Sequence, residues 1–328
     1  MKPPTSLQRQ RRILTLAALG AVTVPMPGLR AQEDRYPARP VKLIVPLGAG
    51  GSTDILARLI APAFQEETQQ ALVVENRPGA EGIIGAKAVA SAAADGYTLL
   101  MGTNGTHVTY AYTARVPAYD PVADFEPVTP LLTIPIFLWT GAESPWTTLA
   151  ELVGRAKERP GSVTFGTNTN SQRLLVHMLS QAASVQVLVV PFKSNGAAML
   201  ELAAGRIDAV FTDATASGVR DRVRPLAVMA ARRVPTLPAV PTILEAGADV
   251  KPLPVFFGIW APPRTPPQIV DRLNATFAAA MKTERVREFL AKIGAEPLLM
   301  GADAFRKFHV AEIDRAVPIL RASGIQPQ

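Results

Sequence analysis

Val41-Lys42-Leu43-Ile44-Val45-Pro46-Leu47-Gly48-Ala49-Gly50-Gly51-Ser52-Thr53-Asp54 passes from a short apolar run rich in β-branched residues, through a glycine-rich turn, to the start of a helix. A buried parallel strand reads this way. Ser52 or Thr53 is placed to cap a helix over 54–68, where Ile55, Leu59, Ala63 and Phe64 keep helical spacing. The pattern repeats outward from this unit. Leu72 to Glu75 predicts a strand, Gly82 to Ala94 a small-residue helix and Tyr97 to Met101 a third strand, with Asp95-Gly96 as the turn before it. Alternating strand and helix implies an α/β fold built on a parallel sheet with helices on both faces.

The same alternation restarts after the apolar, extended stretch Val128 to Trp139. Helices are expected at Thr148 to Glu158, Ser171 to Ala183 and Ala197 to Ala204, and strands at Val163 to Phe165, Gln186 to Val190 and Ile207 to Phe211. A second extended segment, Leu253 to Ala261, precedes three helices at Pro266 to Lys282, Glu284 to Lys292 and Ala302 to Ser323. Two α/β series with extended crossings suggest two lobes, each a mostly parallel sheet flanked by helices. The expected division is lobe 1 at 32–136, lobe 2 at 137–254 and a return to lobe 1 at 255–328.

Residues 1–31 read as an export signal. Arg9, Arg11 and Arg12 precede the uncharged run Ile13 to Val24, and Leu29-Arg30-Ala31 offers a cleavage site after Ala31. The run is shorter than the ~20 apolar residues that span a bilayer. Arg11-Arg12 leaves the twin-arginine route open beside the general one. The formal net charge of +7 includes five basic residues of this segment, Lys2, Arg9, Arg11, Arg12 and Arg30, so the mature chain carries 7 − 5 = +2. Nucleic-acid binding thereby loses its electrostatic support. The chain has no cysteine, so an exported product must hold its fold by burial alone. The expected location is the periplasm.

Ligands of open α/β sheets bind beyond the carboxyl ends of the strands. Here those loops are Leu47 to Asp54, Asn76 to Gly82, Gly102 to His107, Gly166 to Gln172, Pro191 to Gly196 and Thr212 to Ser217. They are rich in Gly, Ser, Thr and Asn, which supply N–H and hydroxyl donors without bulk. Helix N-termini carry about +0.5 of a charge, so an anion is the natural guest, although the same residues also form plain turns and caps. Enzyme signatures are thin. Gly48-Ala49-Gly50-Gly51-Ser52-Thr53 lacks the lysine of a phosphate-binding loop and the third glycine of a dinucleotide fingerprint. No nucleophile elbow or His-Glu-x-x-His pair occurs, and His107, His177 and His309 are widely separated, so no metal or cofactor is expected. His107 either donates to a ligand or satisfies nearby backbone.

Several ordered blocks carry a family resemblance. Tyr36-Pro37-Ala38-Arg39-Pro40-Val41, Pro46 through Asp54, Glu75-Asn76-Arg77-Pro78-Gly79-Ala80, Asp95-Gly96-Tyr97-Thr98-Leu99-Leu100, Pro191-Phe192-Lys193, Gly205-Arg206-Ile207-Asp208 and Pro238-Ala239-Val240-Pro241-Thr242 span nearly the whole mature chain. In these blocks it resembles the receptors of tripartite tricarboxylate transporters, the Bug proteins. The resemblance implies a two-lobed, type II periplasmic binding-protein fold that closes around a small carboxylate. It implies a carboxylate held by backbone amides of Gly48, Ala49, Gly50, Gly51, Ser52, Thr53 and Asp54 and of the loop with Glu81, Gly82 and Ile83. The strand-end loop Gly102 to His107, read from the residues, adds Thr103, Gly105, Thr106 and His107 as expected first-lobe contacts. Thr169, Asn170, Ser171, Gln172, Arg173, Asn195, Gly196 and Asp213 select the rest of the ligand from the second.

The sequence departs from the family pattern at Glu81, Ile83, Tyr110 and Arg173, so the ligand class stays broad: a di- or tricarboxylate, an acidic amino acid or an aromatic carboxylate. Ile83 and Tyr110 suggest an apolar cleft. Arg173 either clamps a second carboxylate or lies solvated in a first helical turn, and Asp213 reads an amino or hydroxyl group or caps a turn. The expected protein is a monomeric solute receptor, not an enzyme, that delivers its ligand to integral-membrane permease subunits. A receptor that presents the same ligand to a sensor kinase is the alternative, and a periplasmic hydrolase or isomerase is a third reading for which no catalytic set is found.

Overall fold

The computed structural model describes residues 36–215, 217–252 and 255–322. The expected export signal and its cleavage site lie outside the described residues. The first unit forms as its sequence dictates: β1 (Val41–Val45) is buried at four of five positions, and α1 (Ser52–Thr68) turns Leu56, Ile60 and Phe64 toward it. β2 (Leu72–Asn76), α2 (Ile83–Ala90) and β3 (Thr98–Thr103) follow. A π-type turn, Gly105–Thr109, runs into the short α3 (Tyr110–Thr113), where the sequence had predicted a loop.

The extended stretches become β4 (Glu126–Ile134) and β5 (Ile136–Gly141), divided at Pro135, which cannot donate to a sheet ladder. The second series comprises α4 (Leu149–Glu158), β6 (Thr164–Thr167), α5 (Asn170–Ala183), β7 (Leu188–Pro191), α6 (Asn195–Ala203), β8 (Ala209–Thr212) and β9 (Val223–Met229). Thr148 and Glu151 form a reciprocal capping box that sets the start of α4. The chain then returns through β10 (Val255–Ala261), α7 (Pro267–Ala280), α8 (Glu284–Ile293), the two-residue β11 (Glu296–Pro297) and α9 (Ala302–Ala322).

Two sheets result. The first has the order β11-β4-β10-β3-β1-β2 and the second β7-β6-β8-β5-β9. In each, three neighbouring strands pair in parallel: β2, β1 and β3 in the first, β7, β6 and β8 in the second. The strand that joins them on return, β10 or β5, runs antiparallel. Both sheets are therefore mixed, and most strands in each still point one way. The reason is topological: the strands that cross between the lobes enter each sheet from the opposite end.

Each sheet has its own core. In the first, Phe64 lies 5.4 Å from Phe277, and Phe256 and Trp260 of β10 pack with Phe305 of α9. In the second, Phe137, Trp139, Met199, Leu202 and Val210 are buried together. The carboxyl ends of β1, β3, β6 and β8 turn toward a shared space. That arrangement positions the site.

A candidate ligand site between the two sheets

A cavity of about 70 Å³ is walled by residues of both lobes. The first contributes Ser52 and Thr53 from the start of α1, Thr103 from the end of β3 and Gly105 from the turn that follows; the second contributes Thr169, Ser171, Gln172, Asn195, Thr212 and Asp213. Nine of the residues singled out in the sequence are thereby brought together, all except Thr212 in that set. An apolar wall completes it: Leu47, Ile134, Ile136, Leu175, Val255 and Phe257. Sequence reading named none of these six, nor Thr212, as site residues, although Leu47 and Thr212 open two of the expected ligand loops. Four of the six lie on the crossing strands, whose apolar character reads in the sequence only as extended chain between the lobes.

Local chemistry sets the donors. Gly51 is the N-cap of α1 and offers no side chain, so no side-chain hydrogen bond closes that helix. Its first-turn amides therefore open on the cavity through Ser52 and Thr53. Ser52 is the first helical residue rather than the cap, and its Oγ instead donates to Asp213 Oδ2 at 2.7 Å, across the lobes. Asp213 is 3% exposed and also accepts from the Thr215 N–H at 2.8 Å. Its carboxylate thus caps a turn and ties the lobes. Gln172 acts as a brace: its Oε1 accepts from Asn168 N–H, and its Nε2 donates to Asn195 Oδ1 at 2.6 Å and to Phe211 O at 2.7 Å. Trp139 Nε1 donates to Thr212 O at 3.1 Å and fixes the end of β8.

Two hydroxyls stand apart. Thr212 is 1% exposed, and its Oγ1, like Ser171 Oγ, is buried without a hydrogen-bond partner. A buried hydroxyl without a partner costs about 1–3 kcal/mol. Both belong to the cavity wall, so a polar ligand atom would satisfy them.

Other expected residues lie elsewhere. Ala49 and Gly50 are exposed on the outside of their turn, where Gly50, at φ 81°, donates its N–H to Asp54 Oδ2 at 2.9 Å. Asp54 also accepts from Arg58 Nε at 3.0 Å. Burial alone would raise its carboxyl, but the hydrogen bonds from Gly50, Arg58 and Asn76 and the Arg58 charge hold it below its ordinary value. Asp54 therefore shapes the loop and is no cavity group. Gly48 meets the other lobe instead, where an added Cβ would sit 3.5 Å from Ser194 Cβ. Gly51 supplies the cap, and Gly196 lies outside the cavity wall.

His107 is a core residue. Its ring stacks on Trp260 at 3.9 Å, its Nδ1 meets Thr106 Oγ1 at 2.9 Å, and its carbonyl is bonded by His309 Nε2 at 2.8 Å. Burial, then the neighbouring His309, keeps its imidazole neutral, well below the usual histidine range. Thr106 Oγ1 is occupied by the Thr103 backbone. Tyr110, also expected near the cleft, is buried against Tyr119 with its hydroxyl accepting from Ala118 N–H. Gly82 caps α2 and Ile83 is its first residue, both outside the cavity wall, so the apolar character comes mainly from the crossing strands.

Arg173 is the largest correction. Its Nη2 lies 3.0 Å from Glu81 Oε1, in the other lobe, and it also bonds Asn170 Oδ1. The guanidinium is paired with the protein's own carboxylate across the lobes, a partner that neither expected role supplies. Burial, the larger influence, pushes the Glu81 carboxyl up, against the Arg173 charge and a hydrogen bond from the Asn170 backbone.

Comparisons with known proteins agree with this architecture. The family model described as "Tripartite tricarboxylate transporter family receptor" matches residues 56–325. BugT of Bordetella pertussis is 33% identical over 318 residues, covering 94% of this chain and 97% of that protein. Among solved structures, Rpa4515 of R. palustris with adipate superposes with a TM-score of 0.85 at 36% identity, covering 89% of this chain and all of that one. MatC from Rhodopseudomonas palustris with bound malate gives 0.81 at 30%, covering 87% and 100%. The two-sheet fold, the shared cavity and these matches together establish that the chain belongs to the tripartite tricarboxylate transporter receptor family, as a two-lobed periplasmic binding protein that binds a solute and is not an enzyme.

Proposed function

We propose that the protein is a periplasmic receptor that encloses a small organic carboxylate between lobes formed by 37–134 with 255–322 and by 136–252, and hands it to the membrane subunits of a tripartite transporter. The observation that carries the reading is the pair of unsatisfied buried hydroxyls, Thr212 Oγ1 and Ser171 Oγ, facing a cavity that also opens on the uncapped start of α1. A carboxylate seated on the α1 amides gains charge-assisted hydrogen bonds without a buried cation to desolvate. The apolar wall of Leu47, Ile134, Ile136, Leu175, Val255 and Phe257 takes its hydrocarbon body. Adipate and malate, bound by the two similar structures, are short dicarboxylates, and they support a carboxylate as the group bound rather than the number of carboxylates carried. Export with cleavage after Ala31 and service to a permease are part of the same proposal, and family membership supports them.

Closure supplies the mechanism. A ligand held by α1 contributes contacts to the β8 and α5 ends and so shifts the lobes toward their closed arrangement. Calorimetric titration of residues 32–328 with short carboxylates tests the reading. One-to-one binding is expected, and Thr212→Val, which keeps the shape and removes the hydroxyl, should weaken it about tenfold. Binding unaffected by Thr212→Val would move the site elsewhere.

A further inference from the structure

Glu81 stands in an unusual turn. Ala80, Glu81 and Gly82, between β2 and α2, have φ of 44°, 57° and 100°, and the first two are residues that rarely adopt such a conformation. Strain of this kind persists where surrounding contacts over-determine it. Here the contact is across the lobes: Glu81 Oε1 is 3.0 Å from Arg173 Nη2, and Arg173, in the first turn of α5, also bonds Asn170 Oδ1 of the same turn. A guanidinium and a helix N-terminus together form an anion cradle. The next residues of that helix turn, Ser171 and Gln172, belong to the cavity wall, so the cradle borders the ligand space.

We propose that Glu81 is a built-in second carboxylate: reaching from lobe 1, it fills the anion cradle of lobe 2 and restricts the receptor to ligands that carry one carboxylate. This deepens the carboxylate reading above and rests on it. The charges around the cavity agree. Among the described residues that wall it there is neither lysine nor arginine, and its one acidic side chain is Asp213, whose oxygens already accept from Ser52 and Thr215. The α1 amides seat a first carboxylate, and a second that reached the lobe 2 cradle would find Arg173 already paired with Glu81. Two carboxylates sharing one guanidinium repel each other. A dicarboxylate would enter only by displacing Glu81 from Arg173. A monocarboxylate leaves the inter-lobe pair intact, and the pair then contributes to closure.

Matched pairs of ligands test this: butanoate with succinate, hexanoate with adipate, and octanoate with suberate, titrated calorimetrically into residues 32–328. The wild type should bind the monocarboxylate of the best-fitting pair at least as tightly as its dicarboxylate. Glu81→Gln should shift the ratio of the two dissociation constants at least fivefold toward the dicarboxylate, and Arg173→Gln added to it should cancel the shift. Glu81→Gly, which adopts φ 57° without strain, should act as Glu81→Gln does, so failure of one variant to fold leaves the other to decide. A shift below fivefold in both, or a wild type that prefers the dicarboxylate, overturns the proposal. If no member of any pair binds wild type or variants, the carboxylate reading itself fails, and this inference with it.

Discussion

Asp54 illustrates what a single side chain does for the site without touching it. Its carboxylate pulls the Gly50 N–H inward and is itself held by Arg58, so the turn 48–53 keeps the α1 amides aimed at the cavity. Its carboxyl sits below the ordinary value in the folded chain, so the stability it contributes is complete above about pH 5 and is lost as pH falls below about 4 through the folded-state value. Asp54→Asn should therefore cost about 1–2 kcal/mol at pH 7 in denaturant unfolding, and the gap to wild type should close in acid. A gap constant from pH 7 to pH 3 would contradict this role. At the same scale lie the readings that sequence alone left open. Asp213 and Arg173 each had two, and only the partner decides: Thr215 and Ser52 for the first, Glu81 for the second. Ser52 stands 161 residues from Asp213, beyond any local pattern, and only the Thr215 contact is local. His107 likewise resembles a loop donor until Trp260 and His309 are brought over it.

Elements were far more legible than partners. The boundaries of α1, α5, α7 and α8 fall within two residues of the periodic apolar positions that predict them, because amphipathic spacing and caps are local properties. β9, β11 and the turn Gly105–Thr109 were not read as regular elements. The first two form only by pairing with strands remote in sequence, β5 and β4, and the turn is stabilised by burial of the His107 ring rather than by helical periodicity. Close approach between elements is equally hidden. Gly85 in α2 lies against the backbone before the carboxylate seat: an added Cβ would come within 2.9 Å of Pro46 Cα and of the Arg77 carbonyl oxygen. Backbone yields less readily than a flexible side chain, so Gly85→Ala should destabilise by about 1–3 kcal/mol. It should also weaken ligand binding, because Pro46 leads directly into Leu47 and the α1 turn. Unchanged affinity in a calorimetric titration of this variant would separate α2 from the seat.

At the scale of the molecule, the two sheets are tied by Ser52 to Asp213 and by Arg173 to Glu81, and the chain crosses between them at Pro135 and again between β9 and β10. The two-lobed plan was visible in the sequence because both α/β series and both extended crossings leave local signatures. The closed contacts were not, since they depend on how one lobe meets the other. What both lobes share is a cavity with donors waiting at Ser171 and Thr212 and an uncapped helix start. The central claim, that this space is built for a carboxylate, is tested most directly by thermal unfolding of residues 32–328 against carboxylates, neutral sugars and amines. A carboxylate at a hundred times its dissociation constant should stabilise the protein by about 2.7 kcal/mol, with no comparable rise from uncharged or cationic solutes. Stabilisation by a sugar or an amine alone, or by nothing in the panel when denatured protein also releases no bound acid, would contradict it.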